Sequence, residues 1–279
     1  MSGMRPLFLP SLLLASFLLL QPHSVSGATG RQNANTPAAA TAGLHPVIIE
    51  LFTSEGCSTC PPADVLIQKL DANQPIDGAQ LIVMSEHVNY WDHDGWKDPN
   101  SSDLLTARQG DYEASLRQGE PYTPQIIVDG TKEVRIDNPR QIEDVLRAAQ
   151  TVPKIPMRIG EVTIDGGVLK THIETDANSS KQGAEIYLAV AIGHVESQVL
   201  HGENGGKHLV HVAVVQELTK IGKLPKGKTF SQDVQVKLKA GTDPANLRVI
   251  AFVQEYGLGK MLGAAMRKPN GPKGAPASQ

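Results

Sequence analysis

Apolar and polar positions follow two different rhythms along this chain, and the change falls near residue 152. Up to that point short apolar runs alternate with amphipathic stretches. Pro46–Phe52 (PVIIELF) and Ala79–Ser85 (AQLIVMS) are nearly unbroken apolar runs, the pattern of strands buried in an α/β sheet. Between them Pro61–Leu70 predicts a helix. Its prolines suit the first turn, and Val65, Leu66 and Leu70 form an apolar stripe edged by Lys69. A polar, aromatic loop runs to Asn100, and Ser101–Arg117 predicts a second helix with Asp103 early in it. Gln125–Arg135 reads as a hairpin turning at Asp129-Gly130. Asn138-Pro139 then opens a third helix through Val145 and Leu146, with Arg147 late. The predicted order is β-α-β-α-β-β-α.

Beyond Val152-Pro153 the helical spacing disappears. Met157–Thr175 alternates about Asp165-Gly166-Gly167, a second hairpin. Glu185–Val195, His208–Val215, Phe230–Leu238 and Leu247–Gln254 are further β-rich runs between Gly, Pro, Asn and Lys clusters. Strands at this spacing predict an all-β sandwich of about 100 residues. The expected organisation is an α/β domain over residues 46–152 and an all-β domain over 153–267, with a disordered tail over 268–279.

Composition narrows the function classes. The 279 residues carry 26 basic and 29 acidic side chains, a formal charge of −3, so no concentrated basic surface exists for nucleic acid. Residues 1–28 have the parts of a secretory signal: Arg5, an apolar core from Leu12 to Leu20, and small residues to Ala28, with cleavage expected after Gly27 or Ala28. That core is shorter than the roughly 20 residues of a membrane span, and no stable span is expected once the signal is cleaved. Residues 29–45 read as a disordered linker. The expected localisation is periplasmic or secreted, an oxidising setting in which two neighbouring cysteines pair.

The protein has two cysteines, Cys57 and Cys60, in Cys57-Ser58-Thr59-Cys60. A C-x-x-C can be half a zinc site, a redox pair or a structural staple. Without a second cysteine pair, a four-cysteine zinc site within the chain is impossible. The motif stands directly after a buried strand and before a helix, where the positive helix end stabilises a thiolate at Cys57 and Cys60 is placed to resolve it. Pro61 and Pro62 lack N–H groups, so Thr59 and Cys60 are the expected backbone donors to that thiolate.

Tyr122-Thr123-Pro124-Gln125 opens the first hairpin. Strand, C-x-x-C, helix, strand, helix, Thr-Pro, hairpin and helix together resemble the thioredoxin fold in its shorter, glutaredoxin-like form. By that resemblance Pro124 is cis and lies beside the dithiol, and Thr123 presents backbone groups to a bound peptide or thiol. The strings ELFTSEGCSTCPPAD, HVNYWDHDGWKD, Arg108-Gln109, YTPQIIVDG, HGENGGKHL and AFVQ are also similar to a family of secreted thioredoxin-like bacterial proteins, domain-of-unknown-function family 1223. This resemblance spans roughly residues 47 to 265. It implies a fold and a compartment, and no substrate.

Both tryptophans lie in Glu86–Asp98, which leaves the sheet edge that carries the dithiol. His87, Tyr90, Trp91 and Trp96 are the candidate recognition rim, with packing of the tryptophans onto the protein itself as the alternative. Three functions stay open. The first is a thiol–disulfide oxidoreductase with Cys57 and Cys60 catalytic and Thr123 and Pro124 positioning substrate. It needs no cofactor beyond its own disulfide, and its partner is a thiol- or disulfide-bearing protein or a small thiol. The second is a copper or zinc chaperone using the dithiol with His87, His93, Asp92 and Asp94, although their spacing fits no compact ligand pattern and no metal ligand is assigned. The third is a binding module in which the disulfide only pins a turn. His194, His201, His208 and His211 read as strand and loop residues.

Overall fold

The computed structural model describes residues 43–117 and 119–269. The signal and most of the linker and tail expectations lie outside the described residues. The linker was expected to reach residue 45, but His45 already belongs to the first strand, its N–H bonded to Gly78 O.

The first half has the expected order: β1 (His45–Thr53), α1 (Pro61–Asn73), β2 (Ala79–His87), α2 (Asp103–Leu116), β3 (Gln125–Val128), β4 (Lys132–Val134) and α3 (Pro139–Gln150). β1 pairs parallel with β2 and antiparallel with β3. Strand alternation divides the chemistry of β1: Val47, Ile49 and Leu51 pack with α1 and α3, while Ile48, Glu50 and Phe52 face the other way. The carbonyl of Cys60 accepts from the N–H groups of Ala63 and Asp64 and closes the first turn of α1. The stripe expected on α1 is rotated: Val65 is exposed, and Ala63, Ile67 and Leu70 face the core. Ser102 and Asn138 cap α2 and α3 through their side-chain oxygens.

The second half supplies β5 (Met157–Ile159), β6 (Thr163–Asp165), β7 (Val168–Thr175), β8 (Ala184–Gln198), β9 (His208–Leu224), β10 (Phe230–Lys237), β11 (Leu247–Glu255) and β12 (Met261–Arg267). β5, β6, β7 and β10 form a small antiparallel sheet whose Leu169, Ile173 and Val234 pack with Ile186, Leu188 and Val190 of β8 and Val249 and Ala251 of β11. The sandwich expected after residue 153 therefore has its core, but its second layer is not separate. β12, β11, β8 and β9 continue into the first half, giving one mixed eight-stranded sheet ordered β12-β11-β8-β9-β2-β1-β3-β4. The junction is the parallel pair Ser85–Val214, reinforced by Ser85 Oγ donating to Val212 O at 2.8 Å.

α2 buries a polar face. Arg108 donates from Nε and Nη2 to Glu50 Oε1 at 2.8 and 2.5 Å, and Tyr112 Oη donates to Glu50 Oε2 at 2.5 Å. Gln254 of β11 accepts from Arg108 and donates to Tyr112 Oη, so the cluster also joins the two halves. The guanidinium lies 5.1–5.6 Å from the ring centres of Tyr112, Tyr187 and Phe252. Burial opposes the charge on Arg108, but Glu50, Tyr112 and Glu86 raise its pKa above the ordinary value. Burial, with Glu50 adding to it, pushes Glu86 well above the carboxylate range.

Replacing Arg108 with Ala leaves the Glu50 charge buried without its partner. Urea denaturation is expected to show a loss of about 3–5 kcal/mol, whereas Glu50→Gln with Arg108→Met together costs much less than the sum of the single changes.

Candidate functional site

Cys57 and Cys60 are joined as a disulfide in the turn between β1 and α1. Both cysteines are 0% exposed, while Ser58 and Thr59 between them face solvent. Cys57 N–H donates to Ser54 O and Cys60 N–H to Cys57 O, so the Cys60 amide expected to serve a thiolate is engaged within the turn. Opposite stands the cis Thr123–Pro124 bond, as the fold resemblance implied. Thr59 Oγ1 donates to Thr123 O at 3.5 Å, so the two segments meet.

The aromatic loop closes over this turn. Trp91 Nε1 donates to Thr123 Oγ1 at 2.8 Å, and Trp96 Nε1 donates to Glu55 Oε2 at 2.8 Å. A Cβ on Gly56 would sit 2.9 Å from Trp91 Cβ, so a side chain there would force the tryptophan away. Tyr90, Trp91 and Trp96 are each half-buried, anchored to the site with part of their surface open. His87 does not share that position. It is 0% exposed beneath the dithiol turn, because its place at the end of β2, beside Thr53 of β1, turns it into the interior.

His87 belongs to a buried ionisable cluster. Its Nδ1 lies 2.6 Å from Asp98 Oδ2. Asp98 also accepts from the N–H groups of Glu55 and Asn100, at 2.9 and 2.8 Å. Burial works against the Asp98 charge, but His87 and the backbone donors outweigh it and lower the pKa to about 2. Asp98 is thus ionised and His87 Nδ1 is the donor. Burial disfavours the imidazolium, yet Asp98, with Asp64 and Glu55 adding, raises His87 above its ordinary value. The ring of His211 from β9 stands nearly perpendicular to that of His87, centres 4.7 Å apart. His211 Nδ1 is 3.3 Å from Asp64 Oδ1, and its Nε2 is 3.8 Å from Glu55 Oε1. Asp64 in turn accepts from Thr53 Oγ1.

One further contributor was not expected from the sequence. The 199–207 loop between β8 and β9 returns to the dithiol turn. Asn204 is buried and donates from Nδ2 to both Glu55 O and Cys57 O, at 2.8 and 2.9 Å. Ser58 N–H donates to Glu203 Oε2 at 3.2 Å. Gly202, at φ +75°, packs so that a Cβ would lie 3.0 Å from Asp94 O and 3.1 Å from Trp96 Cβ. The loop braces the motif and the aromatic loop together. HGENGGKHL carried the signal as a turn-prone string, without showing what it touches.

The residues weighed for metal separate. His93 is exposed beside Asp94, whereas Asp92 accepts from Asp98 N–H and Ser101 Oγ. Among the described residues, no three His, Cys, Asp or Glu side chains are grouped to hold a metal ion. His194 and His208 flank Glu196 at the surface.

Residues 48–254 match the family described as "Protein of unknown function (DUF1223)", and the chain belongs to that family. The solved structure of protein AGR_C_4864 from Agrobacterium tumefaciens is similar with a TM-score of 0.62 at 23% identity, over 82% of this chain and 96% of that one. HBP35 of Porphyromonas gingivalis is similar with a TM-score of 0.62 at 15% identity, over 85% of this chain and 80% of that one. At these identities the likeness is one of fold. None of the curated proteins matches the sequence.

Two outcomes follow from this geometry. A carboxyl whose pKa is lowered on folding adds stability above its unfolded pKa and loses it as pH falls through the folded value. Asp98, lowered from 3.8 to about 2, is expected to cost the protein about 2 kcal/mol between pH 5 and 2. In Asp98→Asn that part of the acid loss is absent, read from urea midpoints at both pH values. Asn204→Ala removes two buried hydrogen bonds at about 1 kcal/mol each. It is expected to speed reduction of the Cys57–Cys60 disulfide by dithiothreitol several-fold, measured by thiol titration.

Proposed function

We propose that this protein is an exported, thioredoxin-like thiol–disulfide oxidoreductase acting through Cys57 and Cys60. The observation that carries the reading is the placement of the pair. A disulfide at a strand-to-helix turn, facing the Thr123–Pro124 segment and rimmed by half-open Tyr90, Trp91 and Trp96, is a docking site built around a reactive bond. The partner is a protein or small molecule bearing thiols or a disulfide. The charged, apolar and small-residue segments of residues 1–28 support export to the periplasm or beyond.

In the reducing direction for substrate, the Cys57 thiolate attacks a substrate disulfide, one substrate sulfur leaves with the electron pair, and Cys60 displaces the second to close the Cys57–Cys60 bond. In the oxidising direction a substrate thiolate attacks Cys57 and Cys60 leaves. Exposed Ser58 and Thr59 form the face by which a partner reaches the buried sulfurs.

A second reading has its own support. Full burial of both cysteines and the double brace from Asn204 suit a disulfide that holds a turn for a binding module. Exchange with a disulfide-bearing peptide separates the two. The oxidoreductase reading expects turnover in the native protein, none in Cys57→Ala, and stable mixed disulfides in Cys60→Ala. A disulfide inert to peptide thiols in the folded protein, reacting only on unfolding, establishes the binding module instead.

A further inference from the structure

We propose that His87 and His211 form a proton store for the Cys57–Cys60 pair, reached through Asp64 and completed by a residue from the second half of the chain. This inference rests on the oxidoreductase reading.

Burial sets the chemistry of the pair. Opening the disulfide by attack on Cys57 leaves the electron pair on Cys60 Sγ, inside a site closed to solvent. A thiolate there is costly unless a proton arrives with it. The groups walling that region are ionisable and equally dry. Glu55, Asp64, Asp98, His87 and His211 are all 0–5% exposed. They lie on both chain segments that flank the motif: Glu55 two residues before Cys57, and Asp64 one helical turn after Cys60, with its N–H bonded to Cys60 O at 3.2 Å. Residues four apart share a helix face, so Asp64 stands on the face of α1 that Cys60 begins, with its carboxyl turned to Thr53 and His211. From Asp64 the path continues to His211 Nδ1 at 3.3 Å and, across the 4.7 Å ring contact, to His87.

What distinguishes this cluster from a satisfied structural network is its unused capacity. His87 Nε2 and both ring nitrogens of His211 are buried without a hydrogen-bond partner, although acceptors stand within 4 Å of His211. Buried polar atoms are almost always paired, so three unpaired ring nitrogens in one cluster call for an explanation, and a redox or catalytic role is one that fits here. Three carboxyl groups face at most two imidazolium charges, so the pocket favours holding protons. Asp98 fixes His87 through Nδ1 and leaves Nε2 to exchange.

A substrate thiolate attacks Cys57 Sγ, the S–S bond breaks, and its electron pair passes to Cys60 Sγ. An imidazolium gives its proton to that sulfur. The substrate's second thiol then returns a proton to the imidazole and displaces Cys57 as a thiolate. The substrate dithiol ends as a disulfide, the protein disulfide is reduced, and the store is restored.

NMR titration of the two imidazoles, in oxidised protein and in protein reduced with a phosphine, tests this without reference to turnover. At least one midpoint is expected to move by about one unit between the redox states, as for directly coupled groups. Reduction by dithiothreitol, corrected for the reagent's thiolate fraction, is expected to decline as pH rises through the His87 titration. In His211→Gln and His87→Gln that inflection disappears and the rate below it falls about 100-fold, the low end of general-acid effects. If Cys57-dependent exchange occurs but both imidazole midpoints coincide in the two redox states, the store is overturned and the oxidoreductase reading stands. If the native protein exchanges with no thiol, both fall.

Discussion

The placement of β9 against β2 is the constraint on which the rest of this architecture depends. One parallel residue pair, Ser85–Val214, and one side-chain hydrogen bond, Ser85 Oγ to Val212 O, bring the two halves into a single sheet. Everything the second half contributes to the dithiol follows from that junction. His211 lies three residues before Val214 and meets His87, two residues after Ser85. The loop entering β9 is the one that carries Asn204 and Glu203 back to the C-x-x-C turn. α1 is held to the same strand, with Gln68 Nε2 donating to Val210 O and Ala213 packed in its core. Ala213 itself has φ +51°, a left-handed conformation that L-residues rarely adopt, at the point where β9 begins to follow β2.

Strand alternation then keeps two charged systems apart. On one face of β1 and β2, Glu50 and Glu86 meet Arg108, Tyr112 and Gln254, and the hydrogen bonds among Glu50, Arg108, Tyr112 and Gln254 tie α2 and β11 to the sheet. On the other, Thr53 and His87 meet Asp64 and, through the loops, Asp98 and His211. The first system centres on the Arg108–Glu50 ion pair and aromatic rings, with both Glu86 carboxyl oxygens buried and without a hydrogen-bond partner. The second leaves three imidazole nitrogens unpaired. A two-residue period in β1 thus separates a structural brace from a cluster with protons to give, within a few residues of chain.

The α/β half was legible because its signals are local. Apolar runs marked β1 and β2, Asp129-Gly130 marked the β3–β4 turn with φ of +48° and +72°, and Asn138-Pro139 marked the start of α3. The two cysteines and Thr123-Pro124 were found for the same reason, as short motifs at predicted element ends. What escaped has no local mark. β12, MLGAAMR, is rich in Gly and Ala and is a strand only because β11 pairs with it. The continuity of the sheet depends on pairing between residues more than 120 positions apart, which no periodicity records. His87 was misplaced at the rim because a histidine following a strand looks like the start of a loop, whereas β2 runs one turn of the pleat further and points it inward. His211 and Asn204 were unreadable as site residues, since their partners come from the other half of the chain.

The burial of the disulfide is the last consequence of that joining. In a minimal α/β unit the turn after β1 would lie at an open sheet edge, and its first cysteine would face solvent. Here two loops, one from each half, cover it, so that neither sulfur has accessible surface while Ser58 and Thr59 between them remain outside. Such a cover shields the sulfurs, and the proposed exchange depends on whatever shifts the aromatic loop or the 199–207 loop. Both loops are anchored to the motif by a few hydrogen bonds: Trp91 to Thr123, Trp96 to Glu55, Asn204 to two carbonyls and Glu203 to Ser58. In the proposed function, a partner that competes for the Thr123 and Ser58 groups weakens those anchors as it docks. Under that reading, recognition and access are coupled through the Thr123 hydroxyl and the Ser58 N–H. The proposed function thus places selectivity in the cover rather than in the Ser58-Thr59 dipeptide.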